Sequence, residues 1–156
     1  MPLDYLPILV QRRAPNPPRK LKRIEKPAWH PLLRPLHEMR VALITSGAIR
    51  EGSQRPFPHM GDASYRRINS DPAVTDLHVD HRSPFGIAAR KDPETVFPRQ
   101  ALRALADQGL IGSVALFHFS IYGGIRLYRA IEEKLAPALT HQLARGCVDL
   151  AVFVPY

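Results

Sequence analysis

The stretch Arg40-Val-Ala-Leu-Ile-Thr-Ser-Gly47 combines a short apolar run, partly β-branched, with a closing Ser-Gly pair. Runs of this length and composition are typical of strands that are buried on both faces of a parallel sheet. Val148-Asp-Leu-Ala-Val-Phe-Val154 has the same character and predicts another buried strand. Thr75-Asp-Leu-His-Val-Asp80 alternates polar and apolar residues, which predicts a further strand.

Helical patterns lie between these strands. Apolar residues recur at helical spacing after Pro98, and Gly109 occupies a position suited to a C-cap. A second amphipathic pattern covers residues 125–145 and ends at Gly146, with a kink or break expected at Pro137. The apolar run from Ile111 to Phe119 predicts one more strand, whereas residues 50–72 read as an irregular loop.

The alternation of strands and helices predicts an α/β fold with an open, mostly parallel, Rossmann-like sheet and flanking helices. A late parallel strand normally leads into another helix, so we expect the fold to be incomplete at the C-terminus. Residues 1–36 hold eight of the 16 prolines, and residues 1–40 carry a net charge of +6 against +2 for the remainder. We therefore predict a Pro-rich basic arm at 1–36 and a body at 37–156.

Composition narrows the classes of function. A basic arm can bind nucleic acid, anionic lipid or an acidic partner, or can be a solvated linker. No aromatic residue lies between Arg12 and Lys26, so base stacking there is disfavoured and nucleic acid is an unlikely partner. No apolar run suits a membrane helix, the start does not resemble a signal peptide, and a single cysteine permits no intrachain disulfide. We predict a cytoplasmic protein without a membrane partner.

Open α/β sheets bind ligands beyond the carboxyl ends of their strands. Three segments are expected at that edge: Thr45-Ser46-Gly47, the stretch that begins Asp80-His81, and Pro155-Tyr156. The backbone N–H groups around Ser46 and Gly47 are suited either to an anion or to a plain turn. Neither the dinucleotide-binding nor the Walker spacing is present, so a nucleotide site is not supported.

Other polar residues complete the predicted substrate-binding set. Asp62 and Arg66 suit either a substrate carboxylate or a structural ion pair. His118 suits either the core or a strand end that faces the site. His78 and His81 would point to opposite faces of a strand, which disfavours a metal site. Cys147 precedes the last strand, at the amino edge, and is expected to be a buried structural residue. The predicted set is Ser46, Gly47, Asp62, Arg66, His81 and His118, with no metal.

Several segments carry a family resemblance: PAWHPLLRPLHEMRVALITSGAI (27–49), GDASYRRI (61–68), RKDPETVFPRQALRALADQGLIGSVALFHFS (90–120) and GCVDLAVFVP (146–155). Together they resemble the N-terminal part of the selenoprotein B family of glycine/betaine/sarcosine/D-proline reductases. The resemblance covers residues 27–156, nearly everything except the arm.

The resemblance implies an oxidoreductase subunit that reductively cleaves a small amino acid or betaine-like substrate. It implies no pyridine nucleotide or other cofactor; the partners would be other reductase subunits and a thiol reductant. In this family a selenocysteine, with a cysteine three positions on, follows a strand equivalent to Asp149–Val154. An ionised selenol or thiol is the nucleophilic form.

This sequence contains no Cys-x-x-Cys and no selenocysteine, so the catalytic pair is expected beyond Tyr156. One hypothesis is that an in-frame UGA, which encodes selenocysteine, follows Tyr156. The rival hypothesis is a truncated, non-catalytic remnant that acts as a binding or assembly module.

Overall fold

The computed structural model describes residues 30–58, 62–81, 86–125 and 128–156. The chain divides between Leu32 and Leu33, and all the elements below belong to the second unit, Leu33–Tyr156. The predicted arm at 1–36 lies mostly outside the described residues, so its boundary stays a prediction.

The main sheet is built around the first predicted strand. β1 (Arg40–Thr45) pairs in parallel with β7 (Leu150–Val154) on one side and with β5 (Ser113–Val114) and β6 (Phe117–Ile121) on the other. β3 (Tyr65–Asn69) pairs antiparallel with β6 and forms the far edge. Every residue of β1 after Arg40 is buried, as a central strand requires. The predicted α/β class with an open, mostly parallel sheet is confirmed.

The prediction of an irregular loop at 50–72 is wrong for part of that segment. The segment contains β3, and β2 (Ile49–Glu51) runs into its start. β2 pairs antiparallel with β4 (Leu77–Val79) in a separate two-stranded ribbon. The predicted strand at 75–80 therefore exists, but it belongs to this ribbon and not to the parallel sheet.

Helices cover both faces of the sheet. The α-helical pieces are α1 (Gly86–Lys91), α2 (Arg99–Asp107), α3 (Tyr128–Ala130) and α4 (Ala136–Arg145). Gly109 follows α2 with φ +69, as predicted for a residue at this end of a helix. The π-helical segment Ile131–Leu135 joins α3 to α4, and Pro137, where the sequence predicts a kink or break, is the second residue of α4. Two 3₁₀ turns lie at Leu36–Glu38 and Pro93–Thr95.

Alternate residues of β1 supply two apolar layers. Val41 and Leu43 belong to one buried cluster, which also contains Ala89 of α1 and Leu102 of α2. Ile44 points to the opposite face and packs in a second cluster. That cluster also contains Phe119, Leu135 and Leu139. The parallel sheet thus lies between two apolar layers. A binding or catalytic site is therefore expected at the ends of the strands and not on the faces of the sheet.

β7 is not the buried strand that its sequence predicts. It pairs with β1, and among the described residues no strand pairs with its other edge. Phe153 is 68% exposed and Val152 40% exposed. An apolar strand with an open edge favours pairing with a further element.

Cys147 is likewise not buried, contrary to expectation. Its side chain is exposed, and its backbone has φ +50 just after α4. The N–H groups of Gly146 and Cys147 cap the carbonyl groups of Gln142 and Ala144. Gly146 is the C-cap, but the left-handed position that favours glycine falls one residue later, on Cys147.

Replacing Cys147 by glycine is expected to raise the free energy of unfolding by up to about 1 kcal/mol, because glycine adopts positive φ without steric cost. Cys147→Val should lower it by about 1 kcal/mol or more, since a β-branched residue is strained there. Urea unfolding measures both. Cys147→Ala, which removes only the sulfur, is the control and should match the parent. A glycine variant less stable than the alanine variant would contradict the strain argument.

Candidate functional site

The carboxyl ends of β1, β6 and β7 meet at one edge of the sheet. Ser46 and Gly47 follow β1, Tyr122 follows β6 and Tyr156 lies just beyond β7. Gly47 and Tyr122 form an isolated antiparallel bridge, and the ring of His81, which follows β4, packs against Tyr122 and Tyr156. We call Ser46, Gly47, His81, Tyr122 and Tyr156 the carboxyl-edge cluster.

Ser46 joins the ends of β1 and β7. Its Oγ accepts a hydrogen bond from the Tyr156 N–H at 2.8 Å and lies 3.3 Å from the Tyr156 carbonyl oxygen, to which it donates. The Ser46 N–H donates to the Val154 carbonyl. The chain that leaves β7 is therefore held beside the turn after β1.

Removing the Ser46 hydroxyl is expected to cost about 1 kcal/mol of stability, the usual net value of a partly buried hydrogen bond. The Ser46→Ala variant would be compared with its parent by urea unfolding. Ser53→Ala, in an exposed turn, is the matched control and should leave the free energy unchanged within about 0.5 kcal/mol. Equal stabilities of the two variants would show that the hydroxyl does not hold Tyr156.

The turn after β1 does not offer a cradle for an anion. The Gly47 N–H donates to Thr45 Oγ1 at 3.1 Å, and the Ala48 N–H donates to the Ile121 carbonyl at 3.0 Å. The Ser46 N–H is also engaged, so these backbone donors are used within the fold, as in a plain turn, which is the other alternative that the sequence leaves open. Ala48 has φ +53, a strained value for a residue with a side chain, and is fully buried.

His81 contributes an imidazole ring to the cluster. Its ring centroid lies 5.7 Å from that of Tyr122 in a stacked arrangement and 5.1 Å from that of Tyr156, edge to face. Burial, followed by the positive charge of Arg90, lowers the pKa of His81 below its ordinary value. A neutral imidazole at physiological pH can accept a proton, which suits it to general-base chemistry.

An ion pair fixes the backbone that leads into His81. Arg50 Nε lies 3.2 and 3.1 Å from the two carboxylate oxygens of Asp80, and both side chains are 14% exposed. The same carboxylate accepts the Phe57 N–H at 2.8 Å. Because the Asp80 N–H donates to the Ala48 carbonyl, the end of β4 is tied to the turn after β1.

Asp62 and Arg66 lie next to each other, as a structural pair would. Arg66 Nε and Nη2 donate to the carbonyl groups of Arg55 and Pro56, and Nη1 donates to Ser64 Oγ. An Asp62 oxygen lies 3.6 Å from Nη2. Because its donors are engaged by Arg55, Pro56 and Ser64, Arg66 connects these residues, which supports the structural alternative over a role in binding a substrate carboxylate.

His118 is separate from the carboxyl-edge cluster. It is completely buried, and its Nδ1 accepts the Leu43 N–H at 3.2 Å. Its ring meets Phe97 edge to face. Burial, together with the charges of Arg99 and Arg103, lowers its pKa to about 4. Of the two readings of its sequence position, the structure shows the core histidine.

The predicted set therefore divides. Ser46, Gly47 and His81 meet at the carboxyl edge, Asp62 and Arg66 organise a neighbouring loop, and His118 lies in the core. Sequence reasoning missed Tyr122 and the ring of Tyr156. The Gly123-Gly124 pair after Tyr122 is the signal that could have indicated a close approach: a Cβ on Gly123 would lie 3.2 Å from the Ser46 carbonyl oxygen and 3.3 Å from that of Tyr156.

Within the described ranges, no group of three His, Cys, Asp or Glu side chains is placed to hold a metal ion. None of the helices described is both long enough and apolar enough to cross a membrane.

Comparison with known proteins gives one informative relative. No family model matches the chain, and no solved structure matches it. D-proline reductase subunit gamma of Acetoanaerobium sticklandii is 31% identical over 123 residues, which is 79% of this chain and 51% of the relative. The chain thus spans about half the length of that relative. The comparison establishes a distant relation between this chain and the proline reductase family.

Proposed function

We propose that this chain forms the sheet-bearing part of a reductase subunit that acts on D-proline or a related small amino acid or betaine. The relation to a D-proline reductase subunit supports the reaction class. One observation carries the proposal: hydrogen bonds between Ser46 and Tyr156 hold the chain that leaves β7 at the carboxyl-edge cluster.

In this proposal a redox pair, a selenocysteine or cysteine with a second cysteine, follows β7 and lies over the cluster. Such a pair works as a selenolate or thiolate, and an adjacent imidazole assists its deprotonation. His81, whose lowered pKa keeps its ring neutral, is suited to that task.

Cys147 has no part in the proposed reaction. It lies before β7, and so the full length of that strand separates it from Tyr156. A single thiol cannot form the intrachain disulfide that two-electron reduction by a dithiol pair leaves behind.

Residues 1–156 alone are expected to show no dithiol-driven turnover of D-proline, glycine, betaine or sarcosine, since they contain one cysteine and it lies at the wrong edge. Substrate consumption with dithiothreitol as reductant measures this. Detectable turnover by residues 1–156 would overturn the proposed site, and its persistence in the Cys147→Ala variant would show that the chemistry does not use a thiol of this chain.

Reading the gene beyond the Tyr156 codon tests the proposal at its base. A UGA codon, or a cysteine codon, followed in frame by a second cysteine codon supports it. A UAA or UAG codon at that point favours the second candidate, a non-catalytic binding or assembly module. The observation that favours this second function is the exposed apolar side of β7, which suits pairing with another polypeptide.

A further inference from the structure

A pocket that is rich in arginine lies at the amino edge of the sheet, opposite the carboxyl-edge cluster. It has a volume of about 680 Å³ and is lined by the beginnings of β1 and β6, by β5 and by the turn before β7. Four arginines line it: Arg40, Arg67, Arg103 and Arg145. No Asp or Glu belongs to the lining described, so the pocket concentrates positive charge.

Three of these arginines have no carboxylate partner among the described residues. Arg67, Arg103 and Arg145 form no ion pair with any residue in the described part of the chain. Arg40 is held differently, since its Nη1 donates to the Gly146 carbonyl and its Nε lies 3.4 Å from Ser113 Oγ. Asp149, the nearby acid, accepts the Arg40 backbone N–H and pairs with Arg34.

The floor of the pocket is apolar. Val114, Ala115, Leu116 and Phe117 line it, and Leu116 is 68% exposed although it is a large apolar residue. The guanidinium carbon of Arg67 lies 4.2 Å from the centre of the Phe117 ring. The interruption between β5 and β6 produces this floor, because Ala115 and Leu116 lie outside both strands.

We propose that this amino-edge pocket binds a small organic dianion, with its oxyanion group among Arg67, Arg103 and Arg145 and its apolar body on Leu116 and Phe117. Guanidinium groups match phosphate and carboxylate oxygens in geometry and charge. A volume of about 680 Å³ lies within the range of roughly 300–1,000 Å³ that is usual for small-molecule sites. The site is independent of the proposed reductase chemistry, because it lies at the other end of the strands.

Titration calorimetry of the full chain with phenyl phosphate at pH 8 and low salt tests the proposal. Saturable binding of one phenyl phosphate per chain is expected, with weaker binding of inorganic phosphate and none of phenol. Arg103→Gln and Arg145→Gln should each weaken binding by about tenfold or more, the loss expected for one charge-assisted hydrogen bond. Arg129→Gln, on the exposed surface of α3, is the matched control and should bind as the parent does.

Different results would overturn different parts of the proposal. No saturable binding, or equal affinity in the parent and in the Arg103 and Arg145 variants, would overturn the pocket as the site. Inorganic phosphate that binds as tightly as phenyl phosphate would remove the apolar body from the assignment. Hexaglutamate that binds more tightly than phenyl phosphate would show a docking surface for an acidic protein segment and would overturn the small-molecule assignment. Unchanged thermal unfolding midpoints confirm that the variants are folded.

Discussion

Lowering the pH from 7 to 4 is expected to remove about 3 kcal/mol from the free energy of unfolding through His118 alone. The folded state keeps this ring neutral down to a pKa of about 4, whereas the unfolded chain takes up a proton near 6.5. Between these values the unfolded state binds more protons, so stability falls as the pH falls. The contribution of His118 to the free energy of unfolding is complete above about pH 6.5, and it changes no further below about pH 4. A difference of about 2.5 pKa units corresponds to about 3 kcal/mol.

The neutral form is required by the sheet itself. Between β5 and β6 the strand beside β1 is interrupted, and His118 Nδ1 accepts the Leu43 N–H that a strand carbonyl would otherwise accept. A proton on Nδ1 would remove this acceptor and place a charge in the core near Arg99 and Arg103. The His118 ring therefore takes the place of a strand carbonyl as the acceptor where the parallel sheet is interrupted.

Two variants of His118 distinguish its role as a hydrogen-bond acceptor from the effect of its protonation. His118→Asn supplies an acceptor without a titrating group, so its stability should depend less on pH than that of the parent between pH 7 and 4. His118→Leu leaves the Leu43 N–H without an acceptor and should cost about 2 kcal/mol at pH 8. Urea unfolding at a series of pH values measures both effects. Parallel pH profiles for the parent and the asparagine variant would show that His118 does not carry the predicted dependence.

Breaking the pair of Arg50 and Asp80 is expected to cost about 3 kcal/mol, because either partner alone is left as a mostly buried charge. Asp80→Asn also weakens the acceptor for the Phe57 N–H, and so loosens the chain on both sides of the carboxyl-edge cluster. Arg50→Gln should cost about as much. Their double variant should be more stable than the sum of the two losses predicts, with a coupling of at least about 1.5 kcal/mol.

An exposed pair in the same protein is the control for this cycle. Arg129 and Glu133 are 86% and 56% exposed. Glu133→Gln is therefore expected to change stability by less than about 0.5 kcal/mol, as is usual for surface pairs. Urea unfolding serves for the whole cycle. A coupling between Arg50 and Asp80 no larger than the Glu133 effect would show that the pair does not fix the approach to His81.

The sequence predicts best where local pattern and burial agree. β1 is central and buried along its length, so its apolar run is unambiguous. Gly109 and Pro137 act through backbone geometry alone, and both lie where a helix changes or ends. The convergence of Ser46 and Tyr156 follows from the parallel arrangement, because such strands share a carboxyl edge. His81 reaches the same edge from the ribbon, through the hydrogen bond between the Asp80 N–H and the Ala48 carbonyl.

Other features depend on contacts that no local pattern encodes. The sequence of β3 does not show a strand pattern, because Arg66 and Arg67 interrupt it; their guanidinium groups lie over the rings of Phe57 and Phe117. β1 and β7 differ little in composition. The exposure of β7 depends on which strands lie beside it, and its own residues do not reveal this. Cysteine usually lies in the core, and this tendency alone predicts a buried Cys147. The turn geometry after α4 overrides that tendency.

The central claim is that the carboxyl-edge cluster is a reductase site, and His81 tests it most directly. The product of the complete reading frame, with any UGA codon decoded as selenocysteine, would be assayed for dithiothreitol-driven consumption of D-proline, glycine, betaine and sarcosine. His81→Phe keeps a ring against Tyr122 and Tyr156 but cannot exchange a proton. We expect turnover of one of these substrates and a loss of about 100-fold or more in the variant, the usual contribution of general acid–base catalysis. No turnover of any substrate, or equal turnover with and without His81, would contradict it.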